Sequence, residues 1–372
     1  MITQESIDIV KETVDIIKVV ERSGVKLKKK GSSFSGCCPF HNEQTPSFSV
    51  SESKGIYKCF GCGVGGDAIS FIMAYEKVEF LDAIRLVAEW QNITLEETQE
   101  TEEHKEIRDK RSEMLQVNTA VAKLYFKHLL DLPDDHIAKK ELLENRLLKQ
   151  GTIIEFQIGF APDEWRFISP SLIEKGKYQP ASDVGLIGTS NEKTFDTFKN
   201  RIIFPIHNEK GQVVGFGGRT MEKKKETPKY LNSKESLVFL KTKALYGLYQ
   251  AQKAIRTMGF AIVVEGYFDV LSMQQSGALN TVGTCGTALT EDHVKLLKRF
   301  TSHVVLMGDG DSAGLASNLK SVDKLLKYDF KVDICLLPES EIEGEKMDPD
   351  IFARQHPLEE DPEEQSLDET HE

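Results

Sequence analysis

The chain has 372 residues, 40% of them hydrophobic and 28% charged, enough to build two or three packed domains and with no apolar run long enough to span a bilayer. Its net charge of −12 at pH 7 taken alone argues against a nucleic-acid partner, whose phosphates require lysine and arginine. The excess is local, however: residues 339–372 hold 14 acids against 2 bases, which accounts for all of it and leaves the remaining body neutral.

The first 15 residues mix acids and lysine with isolated apolar residues, unlike a signal peptide. Four of the six cysteines crowd between Cys37 and Cys62, while Cys285 and Cys335 stand apart. That grouping predicts a metal site rather than a disulfide framework, hence a reducing compartment and a cytoplasmic location.

Ile7, Val10, Val14, Ile17 and Val20 recur at helical spacing and predict one amphipathic helix at the start. Residues 31–66, rich in Gly, Ser and Cys, predict compact loops and strands. Helical spacing returns over 67–90 through Ile69, Ile72, Phe80, Ile84 and Val87, with Asp67 as an N-cap. A first domain is expected over residues 1–95. Residues 96–114 are almost wholly polar and predict a linker or an exposed helix.

Beyond that, residues 115–148 are helical in pattern, and residues 202–206 and 212–216 predict two antiparallel strands joined by a turn at Asn208-Glu-Lys-Gly211. Residues 219–243 carry eight cations against three acids, a local basic surplus that closes a mixed α+β subdomain over 115–243. From 244 to 357 helices at 244–258, 268–276, 292–300 and 313–326 alternate with short apolar strands at 260–264, 281–282, 303–307 and 332–337. That alternation predicts a parallel α/β sheet. The fold class expected is therefore a multidomain α/β protein, closed by a polar tail at 358–372 that is expected to be disordered.

Two constellations carry chemistry. Cys38, His41, Cys59 and Cys62 form Cys-x2-His, 17 intervening residues, and Cys-x2-Cys. Two close pairs of soft ligands suit tetrahedral zinc, and four protein ligands leave no open position, so one structural zinc is expected. Cys37 is a bystander on spacing, because only Cys38 keeps two residues before His41. Around these ligands stand Lys26, Lys28, Lys29, Lys30, Phe34, Phe40, Phe48, Tyr57, Lys58 and Phe60, rings and cations that either read single-stranded nucleic acid or fill the core of a small ribbon.

The second constellation is acidic. Glu265 and Asp269 follow the strand at 260–264, and Asp309 and Asp311 follow the strand at 303–307. Strand C-termini of an open parallel sheet form its ligand crevice, so these carboxylates can converge on magnesium, or manganese in its place. Asp348 and Asp350 add a third acidic element.

These residues resemble those of the bacterial DnaG-type primases. Cys38-Pro-Phe-His-Asn-Glu-Gln-Thr-Pro-Ser-Phe48 and Tyr57-Lys-Cys-Phe-Gly-Cys-Gly63 are similar to that family's zinc ribbon. Glu265-Gly-Tyr-x-Asp269 with Asp309-Gly-Asp-x-Ala-Gly314 is similar to the Toprim signature, which the primases share with topoisomerases. Asn200-Arg-Ile-Ile-Phe-Pro-Ile206, Gly215-Phe-Gly-Gly-Arg219 and Pro228-Lys-Tyr-Leu-Asn-Ser233 resemble the family's basic strand region.

The resemblance runs in register to about residue 356. It implies synthesis of short RNA primers from ribonucleoside triphosphates on single-stranded DNA, with one zinc and two or more magnesium ions, at replication forks in the nucleoid. It makes Glu265, Asp309 and Asp311 metal ligands, with Asp269, Asp348 and Asp350 in support. It also makes Arg146, Arg219, Lys229 and Lys241 contacts to nucleotide and template phosphates, and implies the nascent RNA primer as a partner.

The family continues past this length into a helical subdomain and a helicase-binding domain, so a replicative helicase is left open as a partner. Gly308 stands where the family more often has a larger residue, and an acidic stretch interrupts residues 338–348. Two other readings compete. One is a non-catalytic or mobile-element primase-like single-strand binder. The other is a different Toprim enzyme, which would need a strand-breaking tyrosine domain that the chain has no length to supply.

Overall fold

A computed structural model describes residues 2–43, 45–96, 102–222, 226–308, 312–338 and 347–356, and the chain divides into two units, Met1–Glu106 and Ile107–Glu372. Among the described residues no helix is long and apolar enough to cross a membrane.

In the first unit β1 (Lys28–Lys30), β2 (Ser33–Gly36), β3 (Phe48–Ser51), β4 (Ile56–Cys59) and β5 (Gly65–Asp67) form one antiparallel sheet in sequence order. Alternation along β3 and β4 buries Phe48, Val50, Tyr57 and Cys59. These share a core with Ala68, Ile69, Phe71 and Ile72 of helix Ala68–Glu76, whose first turn is capped by Asp67 accepting from Ser70 N–H at 2.7 Å.

The single opening helix expected from periodicity is two, Gln4–Thr13 and Ile16–Arg22. Val14 turns extended (ψ 125°), and the Asp15 carboxylate accepts from Ile17 and Lys18 N–H, starting a new helix. Both halves still bury the predicted stripe, because the break preserves which residues face the core. Residues 67–90 likewise form two helices, the second Phe80–Gln91, separated by Lys77 at φ 55°.

The second unit begins within the 30-residue helix Glu102–Asp131, which is exposed along its first three turns and buries one face from Met114 onward. A mixed region follows with β6 (Gly159–Ala161), the hairpin β7 (Ile187–Ser190) and β8 (Lys193–Asp196), then β9 (Arg201–His207), β10 (Val213–Thr220) and β11 (Tyr230–Asn232). Four of these form an antiparallel sheet in the order β11-β10-β9-β6. The expected 208–211 turn is present: Asn208 Oδ1 accepts from Lys210 and Gln212 N–H at 3.0 Å each.

The parallel sheet is present too, with β12 (Ala261–Val264), β13 (Thr281–Gly283), β14 (His303–Met307) and β15 (Lys331–Cys335) in the order β13-β12-β14-β15. Its first helix begins at Leu248 rather than 244. Tyr246 is held extended by exchanging two backbone hydrogen bonds with Gly283. The expected tail at 358–372 lies outside the described residues.

Burial lowers His128, His207 and His293 of this unit, His207 to about 4. The His293 ring accepts from Thr290 N–H and lies 3.1 Å from the Lys241 carbonyl, contacts that a neutral ring protonated on Nε2 satisfies. Unfolding frees all three rings to take up protons below about pH 6.5, so the unfolded chain binds more protons there and stability falls as pH drops. At pH 7.5 the effect is absent. We expect urea midpoints to fall between pH 7 and pH 5, with His207 alone contributing about 2 kcal/mol by pH 5, and His207→Gln to flatten the slope.

Candidate metal and nucleic-acid sites

The four zinc-ligand candidates converge. Cys38 follows β2, His41 lies in the loop before β3, Cys59 ends β4 and Cys62 sits in the turn to β5. Their ligand atoms all lie within 4.8 Å of one another. Cys38 Sγ is 3.8 Å from Cys62 Sγ and Cys59 Sγ is 3.9 Å from His41 Nδ1, near the edge of about 3.8 Å for a tetrahedron with zinc–sulfur bonds of about 2.3 Å.

The backbone prepares the sulfurs for negative charge. Gly61 and Cys62 N–H point at Cys59 Sγ from 3.3 and 3.4 Å, and Phe40 N–H points at Cys38 Sγ from 3.4 Å. Burial acts to raise the Cys59 thiol, but the Ser47 hydroxyl and these N–H groups outweigh it and bring Cys59 down to about 6. Burial pushes Cys38 up to about 12. Gly61 is the residue the loop needs here, since a Cβ would meet His41 Nε2 and Ser47 Oγ at 2.8 Å. Donor set, spacing and cradle fit a closed zinc site.

Sequence reasoning missed what holds the ligands. Glu43 accepts from Cys38 N–H at 2.6 Å and Ser47 N–H at 3.1 Å, and lies 3.2 Å from His41 Nε2, aiming Nδ1 at the thiols. Asn-Glu-Gln-Thr-Pro-Ser, just past His41, was the available signal. A carboxylate behind a metal-ligating imidazole fixes its tautomer and raises its basicity.

The rings near this site divide by burial. Phe48 and Tyr57 are core, packed with Phe40, Phe71 and Tyr75. Phe60 is 77% exposed and follows the exposed Lys58 and the buried Cys59 in sequence.

In the second unit Glu265 leaves the C-terminal end of β12. Leu306 stands opposite Val263, so β12 and β14 end together as neighbouring parallel strands. Asp309 and Asp311, directly beyond Gly308, lie outside the described residues, as do Lys223, Lys224 and Lys225 of the basic stretch. Asp269 Oδ2 accepts from Gly266 N–H at 2.7 Å, closing the first turn of helix Tyr267–Gln275 and fixing the loop that carries Glu265.

The basic strands reach this edge through side-chain contacts. Tyr267 donates to Asn232 Oδ1 at 2.6 Å, and Asn232 Nδ2 donates to the Cys285 carbonyl at 3.0 Å. Gly217 of β10 lies flat on the Tyr267 ring, where a Cβ would come within 2.3 Å. Arg201, buried at the start of β9, donates to the carbonyls of Gly218 and Pro228 at 3.0 Å each and ties β10 to the segment entering β11. Sequence reading assigned no role to Tyr267, Asn232 or Arg201.

Arg146 and Arg219 are brought together. Both guanidinium groups lie over the Phe268 ring, at 4.5 and 5.4 Å, and both bond Glu141 Oε1, at 3.3 and 2.6 Å. Asp350 is 1% exposed and engages Arg146, Arg354 and the Ser272 hydroxyl. Burial acts against the Arg146 charge, but Asp350 outweighs it and raises the guanidinium pKa. Asp348 accepts from Ile351 N–H and caps helix Pro349–Gln355, and burial raises its carboxyl. Lys229 is exposed beside the Tyr230 ring, and Lys241 lies half-buried in the turn Lys241–Lys243.

Together these features define a class of protein: a zinc-ribbon unit in one chain with an antiparallel basic sheet and a parallel sheet edged by carboxylates. Models of three families match it in order: the CHC2 zinc finger over residues 2–103, the N-terminal domain of the DNA primase catalytic core over 125–252, and the Toprim domain over 259–335. The DNA primase of Clostridium acetobutylicum is 39% identical over 358 residues, 96% of this chain and 57% of that protein. The Escherichia coli DNA primase is 36% identical over 349 residues, 91% of this chain and 58% of that protein.

Among solved structures, the zinc-binding and RNA polymerase domains of the Aquifex aeolicus primase superpose with a TM-score of 0.59 at 33% identity, covering 94% of this chain and 82% of that one. A DnaG primase catalytic domain bound to single-stranded DNA gives 0.59 at 34% identity, covering 67% and 76%. The chain belongs to the DnaG-type primase family. It spans just under three-fifths of the length of these two curated relatives.

Two outcomes test the site geometry. Cys62→Ala is expected to lose zinc by elemental analysis, whereas Glu43→Ala keeps it with about 10- to 100-fold weaker affinity in chelator competition. Asp350→Ala takes the shared buried carboxylate from the half-buried Arg146 and Arg354 and is expected to cost about 1.5–3 kcal/mol in urea unfolding, whereas Asp348→Ala, which removes only a cap, costs about 1 kcal/mol.

Proposed function

We propose that the chain is a DNA primase, polymerising ribonucleoside triphosphates into short RNA primers on single-stranded DNA, in the cytoplasm at the replication fork. The observation that carries this reading is the convergence of β12 and β14 at one edge, with Glu265 on the first and Asp309-Gly-Asp311 immediately following the second. The basic strands β10 and β11 are anchored to the same edge through Tyr267 and Asn232.

Glu265, Asp309 and Asp311 would hold divalent metal, magnesium by preference for their hard oxygens, which when bound lowers the cost of the charge that develops in phosphoryl transfer. The protein's own side chains do the rest. Asp269 holds the Glu265 loop, while Asp350 and Asp348 position Arg146 and the last helix. Arg146 and Arg219 share the face of Phe268 and present cationic N–H groups to a triphosphate, and Lys229 and Lys241 follow template and primer phosphates. The two arginines arrive partly neutralised by Glu141, so an incoming triphosphate must replace carboxylate contacts with its own. That exchange favours a multiply charged ligand over a single phosphate. No covalent protein intermediate is needed.

The zinc unit supplies a second single-strand contact, with exposed Lys58 and Phe60 offering a cation and a stacking ring.

Glu265→Gln, Asp309→Asn and Asp311→Asn are each expected to lower dinucleotide synthesis at least ~100-fold while template affinity stays within about twofold, because they remove metal ligands and no cation. Lys229→Glu should instead weaken template binding and flatten its salt dependence. A wild-type chain that binds template but makes no dinucleotide with magnesium would overturn the catalytic reading.

A further inference from the structure

The basic sheet has a second end. Arg219 lies near the C-terminus of β10, whereas the hairpin joining β9 and β10 lies about 20 Å away, at ~3.4 Å per residue over six residues. At that far end a cleft of about 420 Å³ opens between the hairpin, the segment 237–245 and the helices around Arg111 and Leu296. Its volume falls in the range of small-ligand sites.

Three features of the cleft point to one ligand chemistry. First, it offers apolar surface: Leu237 and Leu240, 48% and 39% exposed, line it over the buried Phe239, Leu245, Val214 and Leu248. Second, its lining carries the cations Arg111, Lys210 and Lys243, while its one carboxylate, Glu209, is engaged by Arg299 at 2.8 Å. Arg111 is braced by donating to the Leu237 carbonyl at 2.6 Å, which leaves other guanidinium N–H groups to donate elsewhere. Third, the half-buried imidazole of His207 lines the cleft with no hydrogen-bond partner among the described residues, its nearest ring neighbour being Tyr249 at 6.1 Å. Its ring nitrogens are therefore available to bond a ligand that enters the cleft.

An apolar surface for a planar ring, a polar imidazole and a cationic lining match a phosphorylated base. The size suits one mononucleotide rather than a strand. The geometry points to a second nucleotide site in this chain, at the far end of the β9–β10 hairpin from Arg219, that takes a nucleoside diphosphate. Its base lies against Leu237 and Leu240, and its phosphates meet Arg111 and Lys243. No carboxylate of the acidic edge lines the cleft, and the proposal does not rest on the catalytic reading.

Calorimetry of the full chain with ADP in excess EDTA tests this. Wild type and Glu265→Gln are expected to bind ADP alike, since Glu265 does not line the cleft. Lys243→Glu and the double variant Arg111→Gln/Lys243→Glu should each weaken binding by at least about tenfold, as loss of charge-assisted phosphate contacts predicts. Both residues are exposed, and matching thermal melts would show that the variants fold. Adenosine alone and inorganic pyrophosphate alone should each bind more weakly than ADP, because each fills half the site. No ADP binding by wild type at millimolar concentration, or binding that the folded double variant keeps, would overturn the proposal.

Discussion

The second unit depends on one close approach, that of β10 to the Tyr267 ring. Gly217 allows the strand to lie directly on the ring, and the Tyr267 hydroxyl then reaches Asn232 of β11, which in turn bonds the Cys285 carbonyl beyond β13. Tyr267 follows Glu265 by two residues, so the contact that docks the antiparallel sheet also sets the start of the helix behind the acidic loop. Any side chain at 217 would push the sheet from the carboxylate edge. This is why small residues and an aromatic residue, chemically inert in themselves, stand between the charged groups of the site.

Charge near this edge is managed by pairing. Arg146, Arg219 and Arg354 are gathered around Glu141 and Asp350, with Phe268 beneath the first two. The carboxylates keep the guanidinium groups ordered, and the remaining guanidinium N–H groups can still donate to phosphate. Asp350 is buried and saturated with donors, so it acts on the site through the arginines it holds. The zinc unit uses the same economy of charge on a smaller scale, with Glu43 bonding the Cys38 backbone and Ser47 and aiming His41.

Much of the fold could be read from the chain because periodicity reports burial directly. The stripe from Ile7 to Val20, the short apolar run at 303–307 and the Asn208–Gly211 turn each reflect a local rule, and all three correspond to elements of the structure. The errors were of continuity. The opening helix breaks at Val14 and Asp15, and the helix at 67–90 breaks at Lys77, because a capping carboxylate or a left-handed residue interrupts the backbone without disturbing the apolar spacing. The helix expected from 244 starts at Leu248 because Tyr246 pairs with Gly283, a partner 37 positions away that no local pattern could reveal.

For the sites the division is sharper. Sequence alone determined the zinc ligands, since two close pairs of soft donors have little other use, and it placed Glu265 at a strand end. Asp309 and Asp311 rest on their position directly after β14. Tertiary structure decided which residues support the ligands and which rings and cations are available. Glu43, Ser47, Arg201, Tyr267 and Asn232 act through partners set by folding. Phe48 and Tyr57 differ from Phe60 only in the side of a strand or turn on which the fold places them. Arg146 and Asp350, 204 residues apart, form a pair that no spacing could announce. Ligand chemistry is written in residue type and short spacing, which the chain carries locally, whereas burial and pairing are properties of distance in space.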